Sequence, residues 1–188
     1  QYSRVVSLPL RLCLTKENPV NLYMRVLIVI FRALFGEKIT DVTKPYLVRL
    51  RVYPNDLDSN FHMNNGRYLT VMDLGRLNLI LRAGLWRLVM KKKYAPVLGS
   101  VQMRFRLPLK PFQLFDLETR ILCWDDKWMY IEHRFLIVGG SKDGAVAAIG
   151  LVKGSFYDPT LKTTVPIPEI NAAIGHTQPS PEFPAYLQ

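Results

Sequence analysis

The chain has 188 residues, a formal net charge of +10, a hydrophobic content of 49% and a charged content of 21%. This length suits one domain with extensions, and this composition excludes a disordered chain. The two cysteines have no C-x-x-C spacing and the three histidines are scattered. These patterns argue against a disulfide framework or a zinc site, and they favour a reducing compartment.

The first predicted element is an apolar helix over residues 21–35, which is interrupted by Arg25 and Arg32. It is shorter than the roughly 20 apolar residues that cross a bilayer, and no small-residue cleavage site follows it. Because the two arginines are seven residues apart, they share one helix face. We expect this helix to pack on the core or lie at a membrane surface, within an N-terminal extension over residues 1–44.

A strand is predicted over residues 46–53, where apolar residues alternate with arginines. The following turn, residues 53–65, places Asp58 four residues before His62 and just ahead of Asn64 and Asn65. A turn that opens a helix presents free backbone N–H groups and the positive end of the helix dipole. It could therefore hold an oxyanion, with Asp58 beside it as nucleophile or general base. The alternative is a purely structural cap on the helix.

A long helix is predicted over residues 66–83, because apolar residues recur there at helical spacing on most sides. Gly84 ends it, and residues 85–90 predict a shorter second helix. Four antiparallel strands follow, at residues 101–107, 117–123, 128–138 and 145–157, separated by Gly and Asp turns. One long helix against one sheet of about five strands is an α+β architecture.

The pattern of the turn, Tyr-x-x-x-Leu-Asp-x-x-x-His-Met-Asn-Asn, followed by a helix with Asp73 and Arg76, resembles the hotdog-fold acyl-CoA thioesterases. The likeness is to the 4-hydroxybenzoyl-CoA thioesterase branch, and most closely to the thioesterase superfamily member six-like group. It covers about residues 45–158 and leaves residues 159–188 as a C-terminal extension. It implies a hotdog fold, in which an antiparallel sheet wraps around one long central helix.

By this resemblance, Asp58 corresponds to the catalytic carboxylate, and the amides near Asn64, Asn65 and residue 66 correspond to the oxyanion donors. His62 and the two asparagines resemble the residues that shape the turn. Asp73 resembles an acid that is itself catalytic in another hotdog branch. A salt bridge from Asp73 to a neighbouring arginine of the same helix is an equally good interpretation of that residue.

Phe61 departs from the resemblance, because the family has glycine at the position just before the histidine. Phenylalanine adopts a positive φ only with difficulty, and its ring fills space where a thioester could approach. We expect a reshaped substrate tunnel or slower turnover.

The sequence therefore predicts a thioester hydrolase that acts on acyl-CoA or acyl-carrier-protein substrates. No cofactor is expected, since coenzyme A is part of the substrate. The net charge of +10 favours anionic partners such as coenzyme A phosphates, an acidic carrier protein or a lipid headgroup. Nucleic acid is not expected, because no reader motif is present.

The resemblance also implies a homodimer or tetramer, with the active site near the subunit junction. We expect a cytoplasmic protein, with possible peripheral contact to a membrane. The alternative function is a non-catalytic acyl or lipid binder at a membrane surface, which Phe61 and the apolar, basic N-terminal helix favour.

Overall fold

The computed structural model describes residues 20–176 and 178–185. Within them lie four α-helices and six strands. In chain order these are α1 (Val20–Phe35), β1 (Tyr46–Arg51), α2 (Asn65–Arg82), α3 (Leu85–Lys92), β2 (Ala95–Phe105), β3 (Leu114–Trp124), β4 (Met129–Val138), β5 (Val146–Asp158), β6 (Thr163–Val165) and α4 (Ile167–Ala173). The predicted order of one strand, two helices and four strands is confirmed.

All the strands form one antiparallel sheet in the order β1-β3-β4-β5-β2, and β6 pairs with the end of β5. The α+β class and the curled hotdog sheet are therefore confirmed. The largest boundary error is in β2, which begins at Ala95, six residues before the predicted start at Val101, whereas the other boundaries differ by at most three residues. The early half has no alternating pattern, because it contains Pro96 and Gly99 and its register shifts between Leu98 and Ser100.

Helix α2 lies against the sheet through a face that combines apolar residues with one glycine and one asparagine. Its buried residues are Tyr68, Val71, Met72, Leu74, Gly75, Asn78 and Leu79. Gly75 is required by close approach, because a Cβ there would lie 2.3 Å from Thr119 Oγ1 on β3. Gly84, with φ +78°, allows the chain to leave α2 and start α3.

The edge strand β2 is more exposed than the strands at the centre of the sheet. In β3, β4 and β5 the side chains alternate between buried and half-buried, and Phe115, Phe135 and Phe156 are almost fully buried. Strand β2 is exposed along most of its length, and no described strand pairs with its outer edge. The exposed apolar residues of β2 include Leu98, Val101 and Phe105.

Helix α1 packs on α2 through a narrow face that includes Arg25, Val29 and Ala33. Its other face is apolar and exposed to solvent: Tyr23, Met24, Leu27, Ile28, Phe31, Leu34 and Phe35. Among the described residues, no helix has both the length and the apolar character needed to cross a membrane.

The chain after β5 continues the same core. Ile167 and Ile170 of α4 are completely buried, and the Ile167 N–H donates to the Asp126 carbonyl at 2.9 Å. Further on, the Ser180 hydroxyl accepts from the Trp124 N–H at 2.9 Å. Neither β6 nor α4 was predicted, because both are short and follow a strand that ends in Asp158-Pro159.

Candidate active site

The acidic turn (residues 53–65) is closed by backbone pairing at its base. Leu57 and Met63 form an antiparallel bridge. Inside it, the Asp58 N–H donates to the His62 carbonyl at 2.9 Å, and the Phe61 N–H donates to the Asp58 carbonyl at 3.1 Å. The backbone that carries Asp58 is thus fixed by its own hydrogen bonds.

The Asp58 side chain is partly buried, with 21% of it exposed. Its Oδ1 accepts from the Asn60 N–H at 2.9 Å, and its Oδ2 lies 3.5 Å from His62 Nδ1. Asp58 and His62, two residues singled out in the sequence, are therefore in one cluster. One carboxylate oxygen is oriented by the backbone, and the other faces the imidazole.

Phe61 adopts a left-handed backbone conformation of the kind that favours glycine. Its φ is +57°, in the left-handed region, and 76% of the residue is exposed. The backbone hydrogen bonds of the turn impose this φ on a residue that rarely adopts it. The turn therefore keeps a glycine-like backbone, and the aromatic ring points away from the core.

The two asparagines have different roles at the start of α2. Asn64 is the N-cap, and its Oδ1 accepts from the Gly66 N–H at 2.8 Å. The Asn64 N–H itself donates to the Asp56 carbonyl at 2.8 Å. The sequence indicated the backbone N–H groups of Asn64, Asn65 and Gly66 as oxyanion donors. Of these three, only the Asn65 N–H has no hydrogen-bond acceptor in the described part of the chain. The Asn65 N–H is thus the amide that remains available to an oxyanion at the helix N-terminus.

Asp56 is a second carboxylate of the turn, and the sequence interpretation missed it. It is 3% exposed, and its Oδ2 accepts both from Arg25 Nη2 and from the Tyr53 N–H at 2.8 Å. Arg67 Nε lies 3.7 Å from the other oxygen, Oδ1. The signal available in the sequence was the Asp-x-Asp spacing together with an isolated arginine in an apolar helix.

Arg25 therefore connects α1 to the acidic turn. It is 6% exposed, donates to the Arg51 carbonyl at 2.9 Å, and lies over the Tyr53 ring at 5.2 Å from the centroid. A buried charge pair of this kind needs hydrogen bonds on both partners. Asp56 Oδ2 and Arg25 Nη2 have them, whereas the buried Arg25 Nε has no hydrogen-bond partner among the described residues. The N-terminal helix is consequently part of the structure that holds the turn.

Asp73 lies away from Asp58, about two turns along α2. Its carboxylate forms a salt bridge with Arg76 of the same helix. This is the structural interpretation of Asp73 that the sequence left open. Arg76 Nη1 is also 3.5 Å from Nε2 of the fully buried His133, whose Nδ1 is 2.9 Å from Thr119 Oγ1. Burial, and secondarily the charge of Arg76, lower the pKa of His133 to about 3, so this imidazole is neutral.

An apolar cavity of about 200 Å³ lies between α2 and the sheet. It is lined mainly by aliphatic and aromatic groups, including Leu98, Ile131 and Phe156, and its polar members include Asp73 and Arg76. Asp58 does not line it. The cavity reaches the part of α2 that carries Asp73.

Tyr68, in the first turns of α2, adds a neutral hydroxyl near the acidic turn. Burial raises the pKa of Tyr68 to about 12, and the negative charge of Asp58 contributes in the same direction. Its ring packs edge-on against Phe105 and Phe135, with centroid distances of 5.1 and 4.9 Å. The phenol therefore stays protonated within electrostatic reach of the Asp58 carboxylate.

A curled antiparallel sheet around one long helix, with an acidic turn at the helix N-terminus, defines a hotdog-fold domain. Many solved structures share this fold. Two of them are YbaW from Escherichia coli, a probable thioesterase (TM-score 0.62, 16% identity, 69% of this chain and 96% of that one), and BH1999, a gentisyl-coenzyme A thioesterase (TM-score 0.59, 22% identity, 68% and 99%). At these identities the likeness shows the fold alone.

The sequence of residues 52–174 matches the thioesterase-like superfamily, and the protein belongs to that family. It is 33% identical to Protein THEM6 of Danio rerio over 162 residues, which cover 82% of this chain and 79% of that protein. It is 35% identical to Protein THEM6 of Xenopus laevis over 127 residues, which cover 68% of this chain but only 60% of that protein. A relative in Saccharomyces cerevisiae, named a probable thioesterase, is 34% identical over 90 residues (47% of this chain and 39% of that protein).

Proposed function

We propose that the protein hydrolyses thioesters, with acyl-CoA or an acyl-carrier protein as substrate. The observation that carries this proposal is the acidic turn within a thioesterase-like domain. Asp58 lies there beside His62, and the free Asn65 N–H is at the start of α2. A carboxylate next to a helix N-terminus supplies both a nucleophile or base and an oxyanion site, without a serine, a cysteine or a metal.

In the proposed reaction, the thioester carbonyl oxygen approaches the Asn65 N–H and the positive end of α2. Asp58 either attacks the carbonyl carbon directly or removes a proton from a water molecule that attacks it. Negative charge that develops on the carbonyl oxygen is stabilised by the amide. With Asp58 as base, the carbon–sulfur bond then breaks to give the acyl group as a carboxylic acid, and the departing thiolate takes the proton that Asp58 removed from water. With Asp58 as nucleophile, the carbon–sulfur bond breaks to leave an acyl–Asp58 anhydride, and the thiolate takes its proton from solvent. When Asp58 is the nucleophile, water hydrolyses the resulting anhydride and restores the carboxylate.

The proposed active unit is a homodimer, or a tetramer built from it. Support comes from the long β2 edge, which no described strand covers and which exposes Leu98, Val101 and Phe105. Exposed strand edges of this length are usually paired or covered. We also propose that the apolar cavity holds the acyl group of the substrate. Leu98 lines this cavity, so a second copy at the β2 edge would complete its wall.

The experiment compares steady-state hydrolysis of a panel of acyl-CoA esters by the wild type and by Asp58→Asn. Asparagine keeps the shape of the side chain and removes its charge, so the proposal expects a loss of orders of magnitude in kcat with retained binding of the ester. Asp73→Asn should do less harm. Asp126→Asn, an exposed acid in the β3–β4 turn, is the matched control and should leave the rate unchanged.

A second candidate function is non-catalytic binding of acyl chains or lipids at a membrane surface. It is favoured by one observation, the exposed apolar face of α1 on a protein with a net charge of +10. Equal hydrolysis rates in the wild type and Asp58→Asn, together with sedimentation of both proteins on anionic vesicles, would favour this alternative.

A further inference from the structure

A second, open cavity of about 500 Å³ lies at one end of the sheet, between the segment 108–114 and the hairpin that joins β4 to β5. Three cationic residues line it, namely Arg51, Lys110 and Lys142, and no acidic residue among those described does so. The nearest carboxylate on the hairpin, that of Asp143, accepts from the Gly139 N–H at 2.6 Å. A cavity with three cations and no lining anion attracts phosphate groups.

An aromatic residue in an unusual conformation stands in the wall of this cavity. Phe112 has φ +59° and is 57% exposed. Its N–H donates to the Val52 carbonyl at 3.0 Å, and its carbonyl accepts from Arg51 Nη1 at 3.0 Å. The backbone is thus held in a left-handed conformation that presents an apolar ring at the wall of the cavity that the three cations line.

The cavity is joined to the acidic turn by backbone hydrogen bonds. The Leu109 carbonyl, next to Lys110, accepts from the Met63 N–H at 2.9 Å. The Val52 N–H, one residue before the turn, donates to the Gln113 carbonyl at 3.0 Å. The segment that lines the cavity therefore runs alongside both ends of the turn that carries Asp58.

We propose that this cavity binds the 3′-phosphoadenosine diphosphate end of coenzyme A. The phosphates contact Lys110, Lys142 and Arg51, and the adenine lies against the ring of Phe112. The volume is within the range of about 300–1,000 Å³ that is typical of small-ligand sites. This inference rests on the proposed function, since it assigns the carrier end of the same thioester substrate.

The first test is binding without turnover, measured by calorimetry with adenosine 3′,5′-diphosphate at fixed ionic strength. The variant K110A/K142A removes two cations, and Phe112→Gly removes the ring while glycine tolerates the positive φ. Each should weaken binding, the double variant by about tenfold or more. The control K91A/K92A removes two lysines from the end of α3 and should bind like the wild type. The proposal would be overturned if all four proteins bound the nucleotide with equal affinity, or if none bound it. It would also be overturned if inorganic phosphate, at the same concentration as the nucleotide, inhibited nucleotide binding.

The second test asks whether the cavity affects binding of the coenzyme A end without affecting the chemical step. An acyl-CoA and the corresponding N-acetylcysteamine thioester carry the same scissile bond, but only the first has phosphates and adenine. K110A/K142A should raise KM for the acyl-CoA about tenfold or more, leave kcat unchanged, and leave kcat/KM for the truncated ester unchanged. Equal losses with both esters would overturn the proposal.

A third test distinguishes coenzyme A from an acyl-carrier protein as the carrier of the acyl group, because an acyl-carrier protein offers a phosphate but no adenine. Phe112→Gly should therefore impair turnover of the acyl-CoA and leave turnover of the acyl-carrier protein unchanged. The reverse pattern would overturn the assignment to coenzyme A. A protein that binds adenosine 3′,5′-diphosphate but hydrolyses neither ester would refute the proposed function alone. A protein that hydrolyses both esters without binding the nucleotide would refute this inference alone.

Discussion

Replacing Arg25 with methionine should destabilise the protein and loosen the acidic turn, because it leaves the buried carboxylate of Asp56 without its main partner. Breaking a buried ion pair from one side costs about 3–5 kcal/mol. We expect about 3 kcal/mol, the low end of that range, because Arg67 Nε remains 3.7 Å from Asp56 Oδ1 and the Tyr53 N–H still donates to Oδ2. For a chain of this size the corresponding fall in Tm is about 6–12 °C.

The assay is urea unfolding of the wild type, Arg25→Met, Asp56→Asn and the double variant. Since the two side chains interact directly, the double variant should lose much less than the sum of the single losses. Arg32→Met, at an exposed position of the same helix, is the control and should stay within about 0.5 kcal/mol of the wild type. Single losses below about 1 kcal/mol, or strict additivity, would refute the view that α1 holds the turn through this pair.

Three further predictions concern stability. Burial lowers the pKa of His133 to about 3, so between pH 6.5 and 3 the unfolded chain binds a proton that the folded chain does not. The free energy of unfolding should therefore decrease as the pH is lowered from 6.5 to 3, by up to about 1.4 kcal/mol per pH unit, and His133→Gln should flatten the slope in urea titrations. Gly75→Ala should cost about 1–3 kcal/mol through its clash with Thr119 Oγ1, and a Thr119→Ala background should reduce that cost when the same denaturation is repeated. Phe61→Gly should raise the Tm, with a gain of about 1 kcal/mol from relief of the left-handed φ, and a lower Tm would show that the exposed ring contributes packing.

Local patterns predicted the elements whose burial follows a regular period. The apolar spacing of α2 and the alternation in β3, β4 and β5 determine their faces, and these elements were found where the sequence indicated. The first half of β2 was missed because its pairing with β5 is a tertiary property of a segment that contains Pro96 and Gly99. For a similar reason the three-residue strand β6 leaves no detectable period.

The candidate site was predictable only in part. The spacing of four residues along the chain predicted that they share one turn before a helix, and the structure has them there: Asp58, His62, Asn64 and Asn65. The role of Asp56 was not predictable, because its partner Arg25 is 31 residues away and belongs to another helix. Likewise, only the hydrogen bonds inside the turn reveal which amides are already used.

The central claim, that Asp58 performs thioester hydrolysis, is tested most directly by the kcat of Asp58→Asn with an acyl-CoA substrate. The same protein preparation should show wild-type affinity for a non-hydrolysable ester. General-base catalysis contributes about 10²–10⁴-fold in rate, and we predict a loss of at least about 100-fold in kcat. A kcat equal to that of the wild type, with binding intact, would contradict the account.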